Sequence, residues 1–192
     1  MNRIFNILIV GVGGQGIILA SDILTLAAQY AGYDTKKSEI HGMSQRGGSV
    51  FSHIRFGEKV YSPVIPEGEV DILISLEEME TLRWLYYINE NTKVFLLEEK
   101  IKPSNVKEYP TGIKEELMNH IKDVHYIDLN KINKLIKSLK FLNVALLGVI
   151  SNFLDFQEKA WVSAIKENVP EKTFDDNWQA FLIGKKYSLE GR

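Results

Sequence analysis

Three features of the sequence predict a three-layer α/β fold: a mixed, mostly parallel sheet between two layers of helices, with a helical C-terminal segment. Short apolar, β-branched runs alternate with amphipathic helical runs from residue 1 to 142. A glycine-rich turn joins the first apolar run to the first helical one. From residue 143 to 192 the pattern is helical throughout. Alternating strand and helix patterns call for a sheet covered on both sides. The chain reads as a single domain, with the sheet core in 1–142 and the helical segment in 143–192.

The elements follow in order. Ile4 to Val10 is apolar and β-branched, as a strand buried on both faces requires. Gly11 to Gly16 is a turn. Ile17 to Ala31 places Ile17, Ala20, Leu24, Ala27 and Ala31 on one helical stripe, and Gly32 fits the position that ends such a helix. A short strand over Asp34 to Ser38 completes a β-α-β unit, which implies parallel strands and a right-handed crossover. Ser49 to Arg55 alternates, with Val50, Ser52 and Ile54 on one face and Phe51, His53 and Arg55 on the other. Phe56-Gly57-Glu58-Lys59 reads as a hairpin turn into Val60-Tyr61, adding antiparallel strands. Further strands are expected at Val70 to Leu76, Thr92 to Leu97 and Val124 to Ile127. Helices are expected near Glu77 to Ile88, Lys114 to Asp123 and Leu129 to Leu139. The C-terminal helices break at Pro170, and their Trp161, Phe174, Trp178 and Phe181 fall at spacings typical of core.

Composition narrows the function. The chain has 192 residues, a formal net charge of −2 and no cysteine. The charge gives no reason to expect nucleic acid or an anionic membrane as partner. Without cysteine there is no thiolate for a zinc site or an iron–sulfur cluster and no disulfide, and the chain is expected to be cytoplasmic. No apolar run approaches the roughly 20 residues of a membrane span. The first apolar run leads into a glycine turn and a helix, so it is read as a first strand and not as a leader.

Two polar segments stand out. Gly11-Val12-Gly13-Gly14-Gln15-Gly16 matches G-x-G-x-x-G between a strand and a helix, the context of Rossmann-like phosphate loops. Glycine lets a ligand approach the backbone, and the unpaired amides at the helix start favour an anion. A dinucleotide site also needs an acidic ribose anchor about 20 residues on. Here Asp34 and Glu39 flank Lys36 and Lys37, and neither carboxylate is well suited to that role. Three readings remain: a phosphate or polar cofactor group at the turn, NAD(P), and glycines that serve only close strand–helix packing.

The second segment, His41-Gly42-Met43-Ser44-Gln45-Arg46-Gly47-Gly48, follows the second strand and is expected at the same carboxyl edge of the sheet. Arg46 suits a two-point clamp on a carboxylate or phosphate, and Gly47 and Gly48 permit close approach. The candidate cofactor-binding residues are therefore Gly11, Gly13, Gly14, Gln15, Gly16, His41, Ser44, Gln45, Arg46, Gly47 and Gly48. The alternative is a solvated surface turn. His53, His120 and His125 show no metal-ligand spacing. Glu77-Glu78 and Glu98-Glu99 read as helix-start and strand-end charges, not catalytic pairs. No catalytic residue can be assigned from the sequence.

The pairing of these two segments resembles the gamma-type subunits of the 2-oxoacid:ferredoxin oxidoreductases, also called the pyruvate/ketoisovalerate oxidoreductase catalytic domain. Ser62 to Asp71 and the passage Asp71-Ile72-Leu73-Ile74-Ser75-Leu76-Glu77 extend the resemblance over nearly the whole chain. Pyruvate-type members carry a Glu-Met-Arg-Gly-Gly version of the second segment. Met43-Ser44-Gln45-Arg46-Gly47-Gly48 departs from it and looks more like the beta subunits of the indolepyruvate branch. The resemblance implies conversion of a 2-oxoacid, coenzyme A and oxidised ferredoxin to an acyl-CoA, carbon dioxide and reduced ferredoxin. It implies a complex that uses thiamine diphosphate, Mg2+, [4Fe-4S] clusters and coenzyme A, with none held by this chain alone. Thiamine diphosphate and the clusters fall to a larger alpha subunit, because this chain lacks cysteine and the Gly-Asp-Gly motif with paired asparagines. Ferredoxin would be met through the complex, and this chain would complete the active site or the coenzyme A site. A pyruvate or 2-ketoisovalerate gamma subunit, a stand-alone NAD(P) oxidoreductase and a non-catalytic scaffold in the complex are the alternatives.

Overall fold

A computed structural model describes residues 3–41, 48–103 and 107–187. The sheet is built outward from β1 (Phe5–Val12), in which Ile7, Leu8, Ile9 and Val10 are all fully buried. Cover on both faces explains why that run is apolar without alternation. The remaining strands are β2 (Asp34–His41), β3 (Ser49–Gly57), β4 (Ile72–Ser75), β5 (Lys93–Leu97) and β6 (Asp123–Ile127), in the order β2-β3-β1-β4-β5-β6. β1, β4, β5 and β6 pair in parallel, while β3 runs antiparallel to both β1 and β2. The sheet is thus mixed and mostly parallel, as the sequence predicts.

The topology departs from the simple β-α-β reading at one place. β1 and β2 point the same way, but they are not neighbours, because β3 lies between them. The hairpin partner of β3 is β2, and Val60-Tyr61 forms no strand. With β1 on one side and β2 on the other, β3 has no free edge to offer the chain that follows it. That chain is drawn across the sheet face instead. Arg55 donates through Nη1 to the carbonyls of Ser62 and Val64 at 3.1 and 3.0 Å, and Ile65 N donates to His53 Nδ1 at 3.3 Å.

The alternation within β3 assigns its two faces correctly. Val50, Ile54 and Phe56 join the core under α1 (Ile17–Tyr30). Phe51 packs on the opposite core, formed by Leu8, Val10, Ile65, Val70, Leu73 and Trp84. That second face is covered by the 60–70 segment, by α2 (Glu78–Arg83) and by α3 (Ile113–His120). The expected helix over 77–88 is shorter, passing at Trp84 into a 3-10 turn over Leu85–Tyr87. Likewise α4 (Leu129–Leu135) stops early, and a 3-10 turn follows at Leu139–Phe141.

The first face carries α1 and the helices α5 (Leu142–Ser151), α6 (Glu158–Asn168) and α7 (Phe174–Lys185). Pro170 separates α6 from α7, and a second break over 152–157 separates α5 from α6. Trp161 and Phe181 are fully buried, and Phe174 and Trp178 pack against the same core. α5 and α7 cross at very short range because Gly148 and Gly184 face each other's backbones. A Cβ on Gly148 would sit 2.0 Å from the Phe181 carbonyl oxygen, and one on Gly184 would sit 1.8 Å from that of Ala145. Among the described residues no helix is long and apolar enough to cross a membrane.

Candidate functional site

The parallel strands end at one edge of the sheet, and loops at that edge are where ligands meet open α/β sheets. The glycine turn leaves β1 there. Gly14 and Gly16 have positive φ (105° and 76°), a conformation that glycine adopts freely. Gly16 is the N-cap of α1, with no side-chain cap.

Gln15 holds the turn from within. Its Oε1 accepts from Val12 N at 2.8 Å, and its Nε2 donates to the Leu76 carbonyl at 2.6 Å and to Glu99 Oε2 at 2.8 Å. One side chain thereby ties the first loop to the ends of β4 and β5. Asn143, at the start of α5, closes the turn from the helical face by donating to the Gly16 carbonyl at 3.2 Å. Gly11 is needed for the same construction, since a Cβ there would lie 2.5 Å from Gln15 Oε1.

The second candidate loop meets the first at this edge. The backbone of His41 pairs with Val50 at the end of β2. Ser44, Gln45, Arg46 and Gly47 lie outside the described residues. Gly48 is described, and its carbonyl accepts from Gly13 N at 2.9 Å. The next residue, Ser49, donates through Oγ to Glu80 Oε2 at 2.5 Å.

A cleft of about 220 Å³ opens beside the glycine turn, lined by Gly14, Gln15, Gly16, Glu99, Lys140 and Asn143 together with Leu76, Leu139 and Leu142. The N–H groups of Gly14 and Gly16 have no partner among the described residues, and the first amides of α1 have none within the helix. These amides and the exposed Lys140 give the cleft hydrogen-bond donors and positive charge, a chemistry suited to an acceptor-rich or anionic group. Glu99 adds one carboxylate to the wall, so the cleft also offers an acceptor.

The acidic pairs resolve unequally. Glu77 is fully buried and caps α2, accepting from Glu80 N at 2.9 Å, Ile101 N at 3.2 Å and the Tyr109 hydroxyl. Burial, then that bond to Glu77, raises the Tyr109 phenol far above its ordinary range. Burial likewise raises Glu78, whose closest cation is Lys100 at 3.7 Å. The helix-start reading therefore holds for Glu77-Glu78. Glu98 pairs with Lys114, but Glu99 does more than end a strand, because it anchors Gln15.

The residues that sequence reasoning missed are Glu99, Asn143, Ser49 and Glu80. Each acts across a long sequence separation, 127 residues in the case of Asn143 and Gly16, and none carries a local signature. Asp34 begins β2 at the opposite edge, where its Oδ2 accepts from Val60 N at 2.8 Å. That bond lowers its carboxyl below the ordinary value. Asp34 is thus remote from the glycine turn. Among the described residues no group of three or more histidine, aspartate or glutamate side chains is placed to hold a metal ion.

Comparison with known proteins agrees with the fold. Residues 6–187 match the family described as pyruvate ferredoxin/flavodoxin oxidoreductase. The indolepyruvate oxidoreductase subunit IorB of Thermococcus kodakarensis is 37% identical, with 97% of this chain and 96% of that protein covered. The 2-oxoglutarate synthase subunit KorC of Methanothermobacter thermautotrophicus is 22% identical, with 95% and 94% covered. Among solved structures, the gamma subunit of a keto/oxoacid ferredoxin oxidoreductase from Geobacter sulfurreducens superposes with a TM-score of 0.72 at 23% identity, covering 95% of this chain and 94% of that one. The match over residues 6–187 and the full-length similarity place this chain in the pyruvate ferredoxin/flavodoxin oxidoreductase family, as a subunit of the 2-oxoacid:ferredoxin oxidoreductase type.

Proposed function

We propose that this chain is the smaller subunit of an indolepyruvate-type, arylpyruvate-oxidising 2-oxoacid:ferredoxin oxidoreductase. In this reading the carboxyl edge of its sheet closes the active site or receives coenzyme A. The observation that carries the reading is the 37% identity over nearly the full length of an indolepyruvate oxidoreductase subunit, against 22% for a 2-oxoglutarate synthase subunit. The departure of the Met43 to Gly48 segment from the pyruvate-type pattern supports the same branch.

A larger partner holds thiamine diphosphate, Mg2+ and the [4Fe-4S] clusters, and passes electrons to ferredoxin. Thiamine diphosphate supplies the carbanion stabilisation; this chain contributes positioning and electrostatics. The amides of Gly14 and Gly16, the start of α1 and Lys140 are suited to a phosphate group of coenzyme A. His41, Ser44, Gln45, Arg46, Gly47 and Gly48 would complete that contact, with Arg46 as the anion clamp.

The NAD(P) alternative is disfavoured by topology. β3 separates β2 from the glycine turn, and Asp34 stands at the wrong edge of the sheet.

Reconstitution tests the proposal. The chain is produced anaerobically with and without a candidate larger subunit, and 2-oxoacid- and CoA-dependent reduction of ferredoxin is assayed. Activity in the combined sample alone, highest with indolepyruvate, is the expected result. A stable complex that turns over no 2-oxoacid, or an isolated chain that reduces NAD(P), defeats it. In the active complex Arg46→Ala is expected to raise the KM for coenzyme A by about tenfold, the loss of one charge-assisted hydrogen bond. An unchanged KM removes coenzyme A from the assignment.

A further inference from the structure

We propose that Glu80 is a positioning residue for the glycine turn, acting through Ser49 and Gly48. The inference rests on the functional reading above, in that the turn is the working surface of the subunit. Glu80 lies on α2, across the sheet from α1, and its side chain is only 3% exposed. Its Oε2 accepts from Ser49 Oγ at 2.5 Å and from Trp84 Nε1 at 3.4 Å, and its Oε1 accepts from Arg83 Nε at 3.2 Å. The closest of these contacts is to the hydroxyl of the first residue of β3.

Ser49 stands opposite Val12, the last residue of β1, and the preceding Gly48 carbonyl accepts from Gly13 N in the turn. A short relay therefore runs from a buried carboxylate through Ser49 and Gly48 to the second glycine of G-x-G-x-x-G. Gln15 and Glu99 fix the turn from the β4 and β5 side, and Asn143 fixes it from α5. Glu80 supplies the third support, from the remaining face.

An apolar side chain would fill the Glu80 position at lower electrostatic cost, since a buried carboxylate gives up its hydration. What the carboxylate adds is geometry. It fixes the Ser49 hydroxyl, and with it the Gly48 carbonyl that engages Gly13 N and leaves the Gly14 and Gly16 amides for the cleft. A displacement of about 1 Å in such a loop is enough to cost a large factor in turnover.

The test uses the reconstituted complex with Ser49→Ala, Ser49→Thr and Glu80→Gln. Ser49→Ala is expected to lower kcat about tenfold while leaving the KM values and the subunit affinity unchanged. Ser49→Thr, which keeps the hydroxyl, is expected to restore kcat. Glu80→Gln, which keeps an acceptor, is expected to fall between the two. In the isolated chain, hydrogen exchange at the Gly13 amide is expected to speed up in Ser49→Ala and not in Ser49→Thr. Wild-type kcat in the Ser49→Ala complex overturns the proposal, as does loss of stability alone with turnover per assembled complex retained. If the wild-type complex turns over no 2-oxoacid, the functional reading has failed instead, and Gly13 exchange still reports whether the relay exists.

Discussion

At the scale of single residues, the site depends on a few side chains with several simultaneous bonds. Gly16 shows this from the backbone side. Its φ of 76° suits glycine, and a Cβ there would lie 2.5 Å from Asn143 Nδ2. Left-handed backbone costs an ordinary residue about 1–2 kcal/mol, so Gly16→Ala is expected to destabilise by about 2 kcal/mol with the collision included. Chemical denaturation measures it. Adding Asn143→Ala removes the collision but not the strain, so the second change is expected to recover part of the loss. His53 makes a pH-dependent contribution. Burial, then the nearby Arg55, lowers its pKa, and burial lowers His125 as well. The unfolded chain takes up protons first, so stability is full above the unfolded value of about 6.5 and declines as pH falls through it. Urea midpoints at pH 7.5 and 5.5 are expected to show that decline, with a smaller difference in His53→Asn. The sequence singles out Gln15 and the glycines as candidates but not the bonds that Glu99 and Asn143 make to the turn, because a hydrogen-bond partner from elsewhere in the chain leaves no periodic signature.

At the scale of elements, the strands and helices were legible wherever local pattern determined them. The buried run of β1, the alternation of β3, the glycine end of α1 and the break at Pro170 all appear as the residues suggest. At the end of α1, Gly32 has φ 94°, and Tyr33 N and Gly32 N donate to the Ala28 and Gln29 carbonyls. The partner of β3 was not legible, since pairing depends on which edges are free and not on the strand's own residues. The crossing of α5 and α7 was hidden as well. Glycine weakens a helix by intrinsic propensity, yet the missing side chains of Gly148 and Gly184 are what let the backbones meet. Alanine would raise intrinsic helix propensity by about 1 kcal/mol. It would also drive a methyl group into a carbonyl oxygen, so Gly148→Ala and Gly184→Ala are each expected to be net destabilising by about 2–3 kcal/mol. A thermal melt with unchanged or higher Tm would contradict this. Glu77→Ala is expected to cost about 3 kcal/mol, because it leaves α2 uncapped and strands three donors. Proteolysis within 100–110 is expected to accelerate in that variant, since Ile101 and Tyr109 lose their anchor.

At the scale of the whole molecule, the candidate site lies at one sheet edge. The strand ends, the starts of α1 and α5, the glycine turn and the described ends of the second candidate loop, His41 and Gly48, converge there, while Asp34 and the Arg3–Asp71 pair lie at the other end. The sequence places the two loops at the same edge because each follows a strand of common direction, and β1 and β2 do point the same way although β3 lies between them.

The bond between Asn143 and the Gly16 carbonyl has a bearing on how the protein is made. It closes a stretch of 127 residues, and Ala145 and its neighbours in α5 complete the core beneath α1. During synthesis the glycine turn leaves the ribosome well before its helix-side support, which is translated 127 residues later. Until then the nascent chain carries an apolar α1 without its permanent cover, which is a condition that favours chaperone binding. The turn beside the cleft is translated long before the contact that completes it.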